Sequence, residues 1–292
     1  MNVRTGTAFA LLSFIWGSTY LFIKIGLAYW PPFLLASLRN LLACVAVVLL
    51  VMALGKPSPK SWRQWWPPLL FALFNGSAFA LIFWGQQYIP SGEAAVLVGT
   101  MPLFSLFLAV VWNKERISWF QFLAVIMGIL GVVFATEVYK GGWSPQNAIQ
   151  LLAETAMIGA ACFYAISYAI NKRYFAGDIY WNTAIHLGAS GVYLLCLSIF
   201  LDRPVQLASV DMTGWWALLY LAIPGSALAY WLMFYLIKHL DSVTVSYVTL
   251  INPIVAVILG VLVLSEPLTG AIILGTALVT AGAWLVSLPK ER

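Results

Sequence analysis

The sequence predicts an all-α membrane protein of ten transmembrane helices, arranged as two inverted five-helix repeats with both termini cytoplasmic. Three observations predict it. Hydrophobic residues make up 62% of the chain and charged residues 9%, with a mean hydropathy of +0.92, whereas soluble domains carry about 25% charged residues. Cutting the chain at proline, glycine and charge clusters leaves ten apolar runs, each near the ~20 residues that a helix needs to cross ~30 Å of hydrocarbon. Finally, Pro102, Glu115 and Gly131 match Pro253, Glu266 and Gly282 at one constant offset. Each half holds five runs, and an odd number turns the second copy over relative to the first. The halves divide as 1–145 and 146–292.

The first run, about 5–27, has only Arg4 ahead of it and is too long and too aromatic for a signal-peptide core, so it reads as a transmembrane helix. Ser13, Trp16, Tyr20 and Lys24 recur in it at three- and four-residue spacing, along one helical face. The second run, about 31–54, carries Arg39 eight residues in, where a charge costs ~2.5–3.5 kcal/mol or more. Arg39 either clamps backbone carbonyls or offers a counter-charge to an anionic group. The third run, about 65–89, places Asn75, Phe79 and Phe83 on one face. In the fourth, about 91–112, Pro102 removes a helical hydrogen bond at the carbonyl of Val98 and brings Thr100 and Met101 toward a site. The fifth, about 117–138, spaces Ala124, Gly128, Gly131 and Ala135 for close helix contact.

The second half answers the first. The sixth run, about 148–171, repeats the first stripe as Tyr164, Tyr168 and Lys172, and also holds Glu154. The seventh, about 179–201, holds His186. The eighth, about 214–238, matches the third through Ser226, Tyr230 and Phe234. The ninth, about 242–264, includes Tyr247, Asn252 and Pro253, and the tenth, about 268–288, repeats small residues at Ala271, Gly275, Ala277 and Ala281. Each residue also has an ordinary reading: aromatic stripes as interhelical packing, prolines as packing kinks, Lys24 as a side chain reaching outward to the interface. Four matching stripes argue for an inward face, because polar groups in hydrocarbon must face protein or a wet cavity.

Charge sets the orientation. The termini and the loops after even-numbered runs hold Arg4, Lys56, Lys60, Arg63, Lys114, Arg116, Lys172, Arg173, Lys238, Lys290 and Arg292, against Lys140 and Arg203 on the other side. Short basic loops stay in the cytoplasm. The net charge of +5 thus reports topology, and nucleic acid is not expected as a partner. The three cysteines show no paired spacing for a disulfide or metal site. No phosphate-binding G-x-x-x-x-G-K-[ST] string is present, which disfavours ATP-driven pumping. No cofactor is expected, and a membrane-embedded enzyme is disfavoured because Glu93, Glu137 and Glu154 have no histidine close in sequence.

At Trp16-Gly17-Ser18-Thr19 ending at Lys24, and at the duplicated Pro102…Glu115 and Pro253…Glu266, the chain resembles the EamA branch of the drug/metabolite transporter superfamily. Within it, the chain looks most like the YddG-type aromatic amino-acid exporters. The resemblance covers essentially the whole chain. It implies a central cavity lined by runs 1, 3, 4, 6, 8 and 9. It also implies a secondary transporter that exports aromatic or other neutral amino acids across a bacterial inner membrane by alternating access. Cationic drugs or other small metabolites are the alternative cargo. Trp16, Tyr20, Phe79, Phe83, Tyr164, Tyr168, Tyr230 and Tyr247 could face a substrate ring, with its carboxylate near Lys24, Asn252 or a hydroxyl. The expected partners are an amino acid and the lipid bilayer, and the expected state is a monomer. Run 6 departs from the pattern, reading Phe163-Tyr164-Ala165-Ile166 where a second Trp-Gly-Ser string would stand.

Overall fold

The computed structural model describes residues 3–113, 118–137, 145–174, 177–207, 210–239 and 248–287. They form α1 (Val3–Leu27), α2 (Pro32–Ala53), α3 (Trp62–Gly85), α4 (Ser91–Val98), α5 (Met101–Asn113), α6 (Trp119–Ala135), α7 (Pro145–Tyr174), α8 (Ile179–Leu201) and α9 (Met212–Ala222). A π-helical segment (Ile223–Leu228) follows, then α10 (Ala229–His239), α11 (Val248–Leu264) and α12 (Gly270–Ser287), with no strand among the described residues. Seven of the predicted runs are long and apolar enough to cross a membrane; the stretches 119–135, 248–264 and 270–286 are apolar but shorter. The turn with Lys114, Glu115 and Arg116 lies outside the described residues, as does Tyr247.

Two predicted runs are not simple helices. Run 4 divides at Gly99 and Thr100: the Thr100 N–H turns back to Leu97 O at 3.2 Å, and its hydroxyl donates to the same oxygen at 2.6 Å. Pro102, next in line, has no N–H for Val98 O, so it sits in the first turn of α5, where that loss costs little. Pro253, its counterpart, stays inside the continuous α11. Run 8 widens into the π segment because Pro224 offers no N–H to Tyr220, and the Ala229 N–H then reaches Pro224 O.

Helix starts are capped from two sources. Ser118 and Gln121 form a reciprocal capping box on α6, and Asp178 accepts from the Tyr180 and Trp181 N–H groups at the start of α8. Elsewhere the cap comes from the distant half of the chain. Asp202, at the end of α8, accepts from Leu34 N at 2.8 Å at the start of α2. Glu266, after α11, accepts from Ser91 N at 2.7 Å, Ser91 Oγ at 2.9 Å and Gly92 N at 3.2 Å at the start of α4. Ser265 takes a left-handed φ of 55° just before Glu266.

In lipid, apolar side chains gain little from meeting one another, so helices associate by close fit. The α6–α12 pair shows it. A Cβ on Gly275 would lie 2.8 Å from both Ala135 N and Gly131 O, and one on Gly131 would lie 2.9 Å from Val279 N. These are backbone atoms and cannot swing away. Gly275→Leu is therefore expected to destabilise the protein by about 1–3 kcal/mol or more, seen as a lower unfolding temperature in detergent. Gly270→Leu, with open space around it, is the control and should leave that temperature unchanged. Away from such contacts, α2, α8 and α11 turn side chains such as Leu49, Phe200 and Leu262 outward, as expected of a lipid-facing surface.

Candidate transport site

Where the two helix irregularities face α1 and α7, the bundle encloses a cavity of about 100 Å³. Trp16, Thr19, Tyr20 and Ile23 of α1 form one wall, and Phe79 and Ile82 of α3 another. Tyr164 and Tyr168 of α7 stand beside Tyr230 of α10. The broken run contributes Gly99, Met101 and Pro102, and α11 contributes Thr249, Asn252 and Pro253. Gly99 allows a close approach there: a Cβ would lie 3.1 Å from Pro253 Cγ and 3.0 Å from Val96 O, so either neighbour would have to shift by a few tenths of an ångström.

The aromatic walls brace one another edge to face, the preferred geometry for rings of this kind. Trp16 meets Tyr230 at 6.2 Å between centroids, and Phe79 meets Tyr164 at 5.9 Å. Behind them, His186 is wholly enclosed, packed on Tyr230 at 4.7 Å and Phe71 at 4.9 Å. Its Nδ1 lies 3.2 Å from Asn182 O. His186 supports the wall and does not line it. Asn75 and Phe83 are likewise buried behind the cavity surface.

Arg39 supplies the charge at this cavity. It is 3% exposed, and its guanidinium lies over the Phe79 ring at 4.6 Å and near Phe83 at 5.7 Å. Nε and Nη2 donate to Ser226 Oγ at 3.1 and 2.9 Å, and Nη2 donates to Gly225 O at 3.3 Å. The Ser226 hydroxyl in turn donates to Leu221 O at 2.9 Å. The π segment makes this possible, since the Ala229 N–H that would occupy Gly225 O in an α-helix goes to Pro224 O instead. Arg39 thus clamps a carbonyl and also lines the cavity, with Nη1 making no hydrogen bond among the described residues.

Lys24 lies elsewhere. Its ammonium donates to Gln86 O and Ile89 O, both at 2.9 Å, and to Gln87 O at 3.4 Å, where a cation suits the carbonyl end of α3. The three- and four-residue stripe that placed it with Tyr20 is real, but one further turn carries it past the cavity to the helix end. Asn252 lines the cavity with its amide nitrogen turned to Val248 O at 2.9 Å and Ser13 O at 3.2 Å. Thr100 is buried at the helix break, and Ser226 acts through Arg39. Glu154 sits apart, accepting from Gln150 Nε2 at 2.9 Å.

The sequence reading left Arg39 of run 2 as either a carbonyl clamp or a counter-charge, did not count run 2 among the lining runs, and did not identify Gly225 as the clamped carbonyl. A Pro-Gly pair inside an apolar run is the signal that marked the π segment.

The model of the EamA-like transporter family matches residues 4–136 and again residues 151–288. The Escherichia coli (strain K12) protein named "Uncharacterized inner membrane transporter YedA" is 29% identical, over 96% of this chain and 91% of its own. The Bacillus subtilis "Uncharacterized transporter YoaV" is 25% identical over 96% of both. An Archaeoglobus fulgidus transporter is 26% identical over 95% of this chain and 96% of its own. A crystal structure sharing 18% identity has the same fold, with a TM-score of 0.68 over 98% of this chain and 96% of that one. This chain belongs to the EamA-like transporter family and is a multi-pass membrane transporter.

Proposed function

We propose that this transporter exports aromatic or other neutral amino acids across a bacterial inner membrane. In this reading ten helices form two inverted repeats, 1–145 and 146–292, with both termini cytoplasmic, and one repeat rocks on the other in a monomer. The observation that carries the cargo class is the guanidinium of Arg39 inside an aromatic cavity. A substrate carboxylate pairs with Nη1, taking the place that the sequence offered to Lys24. The ring lies against Tyr20, Tyr164 and Tyr230, and the ammonium rests on a ring face such as Trp16. Arg39 opposes a purely cationic cargo. At about 100 Å³ the cavity is smaller than the 300–1,000 Å³ of typical ligand pockets, so a whole amino acid enters only as the walls part.

Counterflow in proteoliposomes tests this. Vesicles preloaded with unlabelled phenylalanine, threonine, methyl viologen or buffer are followed for entry of labelled phenylalanine without any ion gradient. Saturable entry that depends on the phenylalanine preload is the expected result; acceleration by methyl viologen and not by phenylalanine would establish a drug carrier instead. Trp16→Ala and Tyr230→Ala should each raise KM by roughly tenfold, the loss of one ring contact of about 1.4 kcal/mol. Trp216→Ala, exposed at 64% on the lipid side, should leave it unchanged at equal expression.

A further inference from the structure

A second cavity, of about 340 Å³, opens where the C-terminal ends of α2 and α10 meet the start of α8. It lies within the 300–1,000 Å³ of typical ligand pockets, and the transport site makes no use of it. The α2 and α8 helices pack closely along their length, whereas α10 meets α8 only sparsely, so the cavity is a gap between α10 and that pair.

The lining of the gap changes character along the helices. Val47 and Leu50 of α2 and Ala227 of the π segment make one end apolar. Leu50 and Trp231 are 42% and 41% exposed there, so this end opens sideways, where lipid chains run. The other end lies past the last turn of α2 and holds Lys56, Asp178 and Tyr180. Between the ends, Trp231, Tyr235 and His239 stand four residues apart on one face of α10. Trp231 and Tyr235 stack at 5.8 Å, and Tyr235 and His239 meet at 4.3 Å. Rings of this kind sit at headgroup depth in membrane proteins.

Anchoring at the interface would account for the rings, but not for the polar groups turned into the gap. Lys56 Nζ lies 3.4 Å from Asp178 Oδ2 and 5.6 Å from the centre of the Tyr180 ring. Trp181 Nε1 donates to Lys56 O at 3.4 Å and fixes the lysine backbone against α8. Asp178 Oδ1 is taken by the Tyr180 and Trp181 N–H groups, which leaves Oδ2 to Lys56. The Tyr180 hydroxyl accepts from Trp231 Nε1 at 3.3 Å and gives its own proton to no group among the described residues. With side chains 39% and 29% exposed, the Lys56–Asp178 pair is open to water. Such pairs contribute little by themselves, so both charges are ready for other partners.

We propose that this gap binds a phospholipid of the phosphatidylethanolamine type. Its phosphate docks on Lys56 Nζ and the Tyr180 hydroxyl, its ammonium on Asp178 Oδ2 and a ring face of α10, and an acyl chain lies along Val47, Leu50 and Trp231. The order of charges selects this occupant: one cation and one carboxylate side by side match a headgroup with one phosphate and one ammonium. A purely anionic phospholipid would set an uncompensated charge beside Asp178. A soluble metabolite would leave the apolar, sideways-open end unfilled. The bound lipid ties α10 to the α2–α8 pair, beside the π segment that Arg39 grips, whatever cargo the carrier moves.

Native mass spectrometry of the delipidated protein in detergent tests the site, with phosphatidylethanolamine, phosphatidylglycerol of the same chains, or free phosphoethanolamine as the titrant. Phosphatidylethanolamine should bind at about tenfold lower concentration than phosphatidylglycerol, and phosphoethanolamine should not bind in that range. Lys56→Gln should weaken phosphatidylethanolamine binding about tenfold and Tyr180→Phe roughly threefold, while Lys56→Arg retains it. Lys60→Gln, the same change on a lysine outside the gap, is the control and should bind as the wild type does. Phosphatidylethanolamine should also raise the unfolding temperature of the wild type and of Lys60→Gln, but not that of Lys56→Gln. Equal binding of the two lipids, a preference for phosphatidylglycerol, or free phosphoethanolamine binding as well as the lipid would overturn the proposal. So would phosphatidylethanolamine binding unchanged in both Lys56→Gln and Tyr180→Phe.

Discussion

Arg39→Ala is expected to lower kcat/KM for phenylalanine counterflow by about 10²-fold or more, the largest functional effect of any single substitution in the cavity. Truncating one member of a buried, hydrogen-bonded charge pair costs about 2–5 kcal/mol, and tenfold corresponds to about 1.4 kcal/mol. Arg39 has two roles that can be separated. As a clamp it holds Ser226 Oγ and Gly225 O; in the proposed docking role its Nη1 would take the substrate carboxylate. Ser226→Ala removes much of the clamp and keeps the charge, so it should cost roughly fivefold, near the 1 kcal/mol of one hydrogen bond. Arg39→Lys should fall between, because an ammonium cannot grip the π segment as a fork and still face the cavity. If Ser226→Ala matched Arg39→Ala in KM and in unfolding temperature, Arg39 would be a clamp alone.

Glu266→Ala should have the largest effect on local stability. It removes the acceptor for Ser91 N, Ser91 Oγ and Gly92 N, and hydrogen bonds to a charged group are worth about 1.5–3 kcal/mol. With its N-terminus uncapped, an eight-residue helix has little of its own to hold it. Amide hydrogen exchange over 91–98 should accelerate by roughly 10–100-fold, while exchange in α8 stays unchanged. A second substitution tests the same contact without touching either partner. A Cβ on Gly260 would collide with Glu266 Oε2 and reach 2.8 Å from Ser91 Oγ, so Gly260→Ala should reproduce the acceleration. Protection unchanged in both variants would mean that the cap contributes nothing.

The parts of this molecule legible in the sequence are those written at helical spacing. Trp16 and Tyr20, or Tyr164 and Tyr168, lie one turn apart and reach the cavity together, because a straight helix carries its face forward unchanged. Lys24 shows the limit of that argument: spacing fixes the face of a helix but not the depth at which a cavity stops. The Pro-Gly pair signals an irregularity in run 8, but its consequence depends on a second helix: the Ala229 N–H shifts to Pro224 O, and Arg39 of α2 takes the Gly225 carbonyl left over. Pro102 and Pro253 look equivalent in sequence, yet one follows a break and the other sits within a helix. The difference lies at Gly99 and Thr100, since Thr100 bonds back on Leu97 and ends α4.

The cap on α4 also sets an order of events during synthesis. Ser91 and Glu266 are 175 residues apart, and at about 5–20 residues per second the ribosome needs roughly 10–35 s to pass from one to the other. For that interval the first half of the protein is already in the membrane with the start of α4 unfastened, its N–H groups answered by interfacial water. The first half therefore completes its fold only after the second has arrived, and a chain that stops short of Glu266 leaves the ribosome with that helix end exposed to quality-control proteases.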